Sequence, residues 1–310
     1  MNKNNLQELV TKIQQKHHQD KGGKNASYIP YLASVPAQLS ALAVVTAEGE
    51  VYASGDSDYG FAIESISKVA TLALALEDKG SETVRRKVGD SPTGLPFNSV
   101  MALELHQDKP LSPLVNAGAM ATTSIIEAKD KEERWARILD FQRQMASERV
   151  VLSDEVNESE QTTNFHNRAI AWLLYSAEHM FCDPMEACEV YTRQCSTLIN
   201  TVDLATMAAT LAAGGKNPIS QKQVIKPQNI PHILAEMMME GFYEKSGDWA
   251  YTVGLPSKSG VGGGIMAVVP NVMGIAAFSP PLDSAGNSVR GQKMVHELAH
   301  TLGLNLFLPK

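Results

Sequence analysis

The spacing of apolar positions changes several times along this chain. Leu6, Leu9, Val10 and Ile13 recur at helical intervals in a polar, lysine-dotted stretch, so residues 1–20 read as an amphipathic helix. The pattern then becomes strand-like at 42–46 and 51–54, with Ala47-Glu48-Gly49-Glu50 as the turn of a hairpin. From about 65 to 77 an Ala-rich apolar run with Val69, Leu72, Leu74 and Leu76 predicts a helix that Gly80 closes. Helical spacing dominates from about 81 to 240. It is clearest at 116–128, 131–145, 164–178, 185–195, 201–213 and 231–240, and Gly214-Gly215 stops the fifth of these. Met237, Met238 and Met239 suit gap-filling in a core. Strand signals return after Tyr251, with 265–269 and 272–278 paired about Pro270-Asn271. A last helix is expected over 289–302, ending at Gly303.

Strands at both ends and helices between them predict an α/β fold of the α+β kind. One antiparallel sheet, flanked by helices, is built from the two ends of the chain, and a mostly helical subdomain is inserted in it. The expected division of a single domain, 1–310, is a sheet subdomain from about 1–80 and 241–310 and a helical subdomain at about 81–240. No repeat or low-complexity tract interrupts the pattern.

Composition narrows the function classes. Apolar residues make up 44% and charged residues 20%, which is ordinary for a globular chain and excludes disordered or collagen-like readings. Lys and Arg total 27 against 34 Asp and Glu, a net charge of −7. That balance argues against a nucleic-acid or anionic-membrane partner. No apolar run reaches membrane-span length, and the first twenty residues carry no secretory h-region, so a cytoplasmic protein is expected. Cys182, Cys188 and Cys195 match no zinc spacing and are expected as reduced, semi-buried helix thiols.

His296-Glu297-Leu298-Ala299-His300 fits the H-E-x-x-H pattern of zinc peptidases, in which two imidazoles share a helical face. The longer pattern places its third ligand where Leu306 stands, and no His, Asp, Glu or Cys follows His300. A zinc site lacking that ligand is irregular, and coincidental histidines on a surface helix are the better reading. No metal and no cofactor is expected.

The chemistry-bearing segment is Glu64-Ser65-Ile66-Ser67-Lys68, at the start of an apolar helix. Residues three apart share a helical face, with Cβ atoms about 5–6 Å apart. A neutral Lys68 amine is then placed to take the proton of Ser65, which serine needs to become a nucleophile. The ordinary alternative makes Ser65 a helix cap. A capping box asks for Glu or Gln three residues on, whereas lysine there opposes the helix dipole. Late in the chain, Lys258-Ser259-Gly260-Val261-Gly262-Gly263-Gly264 lacks the order of a nucleotide loop. As a strand beside Ser65 it makes sense. Gly260 would let substrate approach, the Val261 amide would face an oxyanion, and Lys258 would lower the pKa of Lys68 by repulsion. S-x-x-K early and K-[ST]-G late points to the β-lactamase and penicillin-binding-protein type of fold. The middle motif of that group is not clean: Tyr191-Thr192-Arg193 has the tyrosine but no asparagine.

The chain resembles the bacterial serine-dependent glutaminases of the glutaminase A type over roughly residues 20–300. The matching stretches are Tyr28-Ile29-Pro30, Gly55-Asp56, Glu64 to Lys68, Pro92-Thr93-Gly94-Leu95-Pro96-Phe97-Asn98 and Pro113-Leu114-Val115-Asn116-Ala117-Gly118. Ser159-Glu160, Asn164, Asn167-Arg168, Gly254 to Val261, Ser279 to Asp283 and Gly286-Asn287-Ser288 continue the series. The resemblance implies hydrolysis of the side-chain amide of L-glutamine to L-glutamate and ammonia, with Ser65 as nucleophile and Lys68 as base. It implies substrate contacts at Tyr28, Ser65, Asn116, Glu160, Asn167, Tyr191, Tyr243 and Val261. Tyr191 or Tyr243 would relay the proton to ammonia, and Lys258 joins the catalytic set. It also implies no cofactor and a homo-oligomer, tetramer or dimer. Taken singly, Asn116 reads equally as a helix cap, Glu160 as a surface charge, Tyr191 as core and Tyr243 as a loop aromatic. A zinc peptidase using His296 and His300, or a silent binding protein on the same fold, are the competing readings.

Overall fold

A computed structural model describes residues 3–309. Its first helix runs Lys3–His18; Met1 and Asn2, included in the expected helix, lie outside the described residues, as does Lys310. The strands in chain order are β1 (Ala41–Thr46), β2 (Val51–Gly55), β3 (Phe61–Ala62), β4 (Val151–Leu152), β5 (Thr197–Ile199), β6 (Ser257–Ser259), β7 (Gly264–Val269) and β8 (Met273–Phe278).

The two ends of the chain meet in one five-stranded antiparallel sheet of order β2-β1-β8-β7-β6. The N-terminal hairpin pairs with the C-terminal strands through β1 and β8, with Val44 opposite Ile275. Alternation along the strands fills two cores. Leu42, Val44, Ile265, Ala267, Ile275 and Ala277 pack with Leu6, Val10 and Ile13 of the first helix and Met294, Val295 and Leu298 of the last, Val289–Leu302. Ala41, Ala43, Val45, Met266, Val268, Ala276 and Phe278 face the other way, onto helix Thr201–Ala212. Each fully buried Leu, Ile or Val on these faces contributes about 1.5–3 kcal/mol. Gly274 shows why this helix lies so close: a Cβ there would strike the Ala209 nitrogen and the Ala205 carbonyl.

A second sheet, of order β3-β5-β4, was not expected from the pattern. Its strands are two or three residues long, too short to display a period of two. It nevertheless locates the site. β3 leads into the 3-10 turn Glu64–Ile66 and helix Ser67–Lys79, while β5 follows helix Pro184–Cys195. The Ile63 N–H donates to the Thr197 carbonyl at 2.9 Å, tying these two lead-ins together.

Helix Asp154–Thr163 also escaped the apolar pattern, because only Val156 on it is buried. Its signal is a cap: Ser153 Oγ accepts the Val156 N–H at 3.3 Å. Cys182 lies in the loop before helix Pro184–Cys195 rather than on a helix; Cys188 and Cys195 are buried helix thiols, and all three are free.

Candidate active site

A cavity of about 250 Å³ opens where the turn after β6 meets the helical layer. Tyr28, Ser65, Asn116, Glu160, Asn167, Tyr191 and Val261 all line it, although they come from seven separate segments. Lys68, Lys258 and Tyr243 are buried behind these walls.

Ser65 sits in the 3-10 turn rather than at a cap; the cap of helix Ser67–Lys79 is Ile66, with no side-chain bond. Glu64, just before it, holds φ at +53°, a left-handed conformation that costs energy for a residue with a Cβ. The glycines after β6 explain how the turn is pressed into place. A Cβ on Gly260 would meet the Ile63 carbonyl at 2.8 Å, and one on Gly262 would overlap the Ala62 carbonyl. Gly260 therefore admits protein backbone, not the substrate approach expected from the sequence. Within the turn, Gly260 N–H donates to Gly264 O and Gly263 N–H to Gly260 O, both at 3.0 Å; the Val261 N–H joins neither bond.

Lys68 is 1% exposed. Its Nζ donates to Asn116 Oδ1 at 2.8 Å and to the Leu114 carbonyl at 3.3 Å. Burial lowers its pKa to about 8, against the opposing pull of Cys195, Glu240 and Glu64. The depression thus comes from burial, not from Lys258 as expected. The mutual repulsion falls on Lys258, which burial and then the Lys68 charge hold well below the ordinary lysine range. Lys258 Nζ donates to Ser259 O at 2.7 Å and Gly241 O at 3.2 Å, and lies 4.3 Å from the centre of the Tyr243 ring.

Asn116 is the first residue of helix Asn116–Ile125, whose cap is Val115. Its side chain turns into the site instead of capping. A protonated lysine can only donate, so Asn116 presents Oδ1 to Lys68. Tyr191 Oη donates to the same oxygen at 3.1 Å. Asn116 Nδ2 then faces Asn167 Oδ1, at 2.9 Å. That fixes the Asn167 amide and leaves its Nδ2 toward the cavity.

The two tyrosines divide. Tyr191 hydrogen-bonds Asn116, whereas Tyr243 donates to the Ser259 carbonyl at 3.1 Å, and Ser65 is among the groups that act on its phenol. Burial pushes both phenols up, so each remains a neutral donor. Tyr243 too holds a positive φ, +55°.

Glu160 accepts from Ser196 Oγ at 3.2 Å and interacts with Glu64. Neither carboxyl is a surface charge: burial raises both pKa values, and mutual repulsion adds to the rise at Glu64. Two buried carboxyls in contact share a proton. Glu64 Oε1 is buried without a hydrogen-bond partner.

Comparison with known proteins fits this geometry. Residues 23–307 match the family described as Glutaminase. Glutaminase 1 of Escherichia coli strain K12 is 69% identical over 304 residues, 98% of each chain. A glutaminase of Desulfovibrio desulfuricans is 66% identical over 302 residues, 97% of each. This chain belongs to the glutaminase family. Among solved structures, a probable glutaminase, ybaS, superposes with a TM-score of 0.99 at 68% identity and full coverage of both chains. A probable glutaminase from Bacillus subtilis, complexed with 6-diazo-5-oxo-L-norleucine, gives 0.88 at 29% identity, covering 97% of this chain and 96% of that one. Like its family, this glutaminase is a hydrolase acting on glutamine.

The zinc reading fares differently. His296 and His300 are exposed on the last helix, ring centres 6.3 Å apart. Glu297 between them is engaged with Lys16 and His17, each at 2.7 Å. Among the described residues, no three His, Cys, Asp or Glu side chains gather as a metal site would need.

Sequence reasoning missed several residues of the glutaminase pocket. Phe97, Asn98 and Asn164 lay in quoted stretches without a role, yet Phe97 lines the cavity 4.8 Å from the Tyr243 ring. Glu64 is the first residue of the Ser65 motif. His166, which bonds the Asn98 carbonyl at 2.7 Å, and Cys195 carried no signal at all.

Proposed function

We propose that this glutaminase hydrolyses L-glutamine through a γ-glutamyl ester on Ser65, with Lys68 as general base. The observation that carries the reading is a fully buried lysine, its pKa lowered to about 8, three residues after a pocket serine. Ser65 Oγ attacks the side-chain amide carbon and its proton passes to Lys68. The Ser65 and Val261 amides stabilise the oxyanion. The C–N bond breaks as the nitrogen takes a proton and leaves as ammonia. Tyr243 suits that relay better than Tyr191, because Ser65 acts on its phenol whereas Tyr191 is bonded to Asn116. Water, deprotonated by Lys68, then cleaves the ester to L-glutamate and restores Ser65.

The two ends of the pocket suit the two charges of the amino acid. Glu160 receives the α-ammonium, and Asn116 and Asn167 orient the α-carboxylate through the Asn167 amide. Tyr28, 59% exposed at the mouth, closes over the ligand. The diazoketone in the Bacillus subtilis relative's complex is an L-amino acid with an electrophilic carbon in place of the amide. A nucleophile at Ser65 would capture such a reagent.

We further read the chain as one domain of a sheet subdomain and a helical subdomain, acting in the cytoplasm as a homo-oligomer, dimer or tetramer. No helix among the described residues is long and apolar enough to cross a membrane. Helix Phe165–Ser176 exposes Phe165, Trp172, Leu173 and Tyr175, a face suited to assembly.

The test is ammonia release from L-glutamine by wild type and Ser65→Ala, each with and without EDTA. Chelator-insensitive turnover that disappears in Ser65→Ala is expected. Ser65 should also gain the mass of the diazoketone less N2. Turnover that survives Ser65→Ala and stops with EDTA would replace this mechanism with metal-dependent hydrolysis.

A further inference from the structure

Glu240 belongs to none of the sequence motifs. It ends helix Ile230–Glu240 and is 4% exposed. A buried carboxylate is costly unless it is hydrogen-bonded and electrically balanced. Its Oε2 accepts one hydrogen bond, from the Thr93 backbone N–H at 2.8 Å. It makes no ion pair within 4 Å among the described residues. Burial raises its pKa, and the Thr93 N–H, Lys258 and Lys68 oppose that rise by favouring the carboxylate.

The surrounding backbone shows why it lies there. Gly241, the next residue, gives its carbonyl to Lys258 Nζ at 3.2 Å and to the Ser259 N–H at 3.0 Å. Thr93 begins the segment that carries Phe97 to the cavity, and the Phe97 carbonyl accepts the Asn116 N–H at 2.8 Å. Asn116 in turn holds Lys68. One carboxyl group therefore stands at the join of the lysine pair and the segment that walls the pocket.

We propose that Glu240 is a positioning residue for glutamine hydrolysis: its carboxylate is the shared counter-charge of Lys68 and Lys258, and the same group anchors the 92–98 segment beside them. The inference rests on the reading of Ser65 and Lys68 above. Two lysines and one carboxylate favour a single extra proton on the pair; Lys258, the more strongly depressed, gives up its proton first, and release of the remaining one from Lys68 frees the base. Other titratable groups facing this cluster are Glu64 from the 3-10 turn, Cys195 from helix Pro184–Cys195, and Glu236, one turn back on the same helix. Of these, only Glu240 acts on both lysines and also bonds the pocket segment.

The experiment is the pH profile of kcat/KM for L-glutamine in wild type, Glu240→Gln and Glu240→Asp, with a thermal melt of each. The Gln variant keeps an oxygen for the Thr93 N–H and loses the charge. Its acid limb should move toward lower pH by about half a unit or more, because Lys68 releases its proton more easily without the counter-charge. The Asp variant keeps the charge at shorter reach, so its acid limb should stay with wild type while KM rises several-fold. A Gln profile that superimposes on wild type, in a protein that melts like wild type, overturns the proposal. If the Gln variant does not fold, the Asp variant decides: an unchanged KM overturns the proposal. Retained activity in Ser65→Ala would instead overturn the underlying mechanism, whatever the Glu240 variants do.

Discussion

Two buried pairs of titratable groups flank the candidate pocket, alike in build and opposite in charge. Lys68 and Lys258 are buried together behind its wall, and Glu64 and Glu160 together in its lining. Burial drives each pair toward neutrality, lysines down and carboxyls up. The consequences diverge. On the proposed mechanism the neutral form of Lys68 is the reactive one, and with a pKa lowered to about 8 it is reached at mildly alkaline pH. A carboxyl pair that shares a proton is a resting form, which an incoming α-ammonium converts to the charged one. On the proposed mechanism the lysine pair serves chemistry and the carboxyl pair recognition, so damage at the first should appear in kcat and at the second in KM.

The largest expected effect is at the lysine pair. Lys68→Met keeps the volume and removes the base, and kcat/KM should fall about 10²–10⁴-fold, mostly in kcat. Stability should move the other way. The pKa of Lys68 is about 8 when folded against 10.5 as its ordinary value. Between these values the unfolded chain binds the extra proton, so wild-type stability rises with pH across that window and the full penalty persists below it. The penalty is about 3 kcal/mol. Lys68→Met should therefore melt higher than wild type at pH 7, with the advantage shrinking between pH 8 and 10.5. Melts of both proteins across that range check this, and a constant difference would mean Lys68 carries no such penalty.

The carboxyl pair should give a smaller, differently shaped loss. Glu160→Gln removes a charge-assisted bond to the α-ammonium, worth about 1.5–3 kcal/mol, so kcat/KM should drop roughly 10–100-fold with the change in KM. Glutaramate, which is glutamine without its α-amino group, sharpens the comparison. Wild type should discriminate against it, and Glu160→Gln should lose most of that discrimination. Steady-state kinetics on both substrates decides, and a kcat-only effect would remove Glu160 from recognition.

These two pairs were unequally legible in the sequence. Ser65, Lys68 and Lys258 announce themselves by spacing, because a helix fixes what lies three residues away and a glycine-rich strand is visible locally. Glu64 and Glu160 meet through tertiary packing between a 3-10 turn and a helix whose sequence is almost wholly polar. No local period marks such a helix, so Glu160 came from family resemblance alone. The main sheet was readable for the same reason as the lysines: its strands are five or six residues long where they matter most, and both hairpins carry their turn signals. The three-stranded sheet that links β3 to β5 was not, since Phe61–Ala62 and Val151–Leu152 offer only two residues each. Locally Asn116 reads equally as a cap, because its partners, Lys68, Tyr191 and Asn167, lie 48, 75 and 51 residues away.

The smallest effect is also the most specific to the carboxyl pair. With folded-state pKa values raised, Glu64 and Glu160 hold a proton that the unfolded chain has already lost. Their contribution to stability is thus present at low pH and is lost as pH rises through the folded-state values, opposite in sense to that of Lys68. Binding of the product should displace the same proton, because an α-ammonium beside the pair favours both carboxylates. Calorimetric titration of wild type with L-glutamate in two buffers of different ionisation enthalpy should show release of up to about one proton per site. In Glu64→Gln no second acid remains to share it, and the buffer dependence should fall toward zero while binding persists. Equal heats in both buffers for wild type would mean that the pair is already ionised, and that the two pairs are not the mirror images their burial makes them.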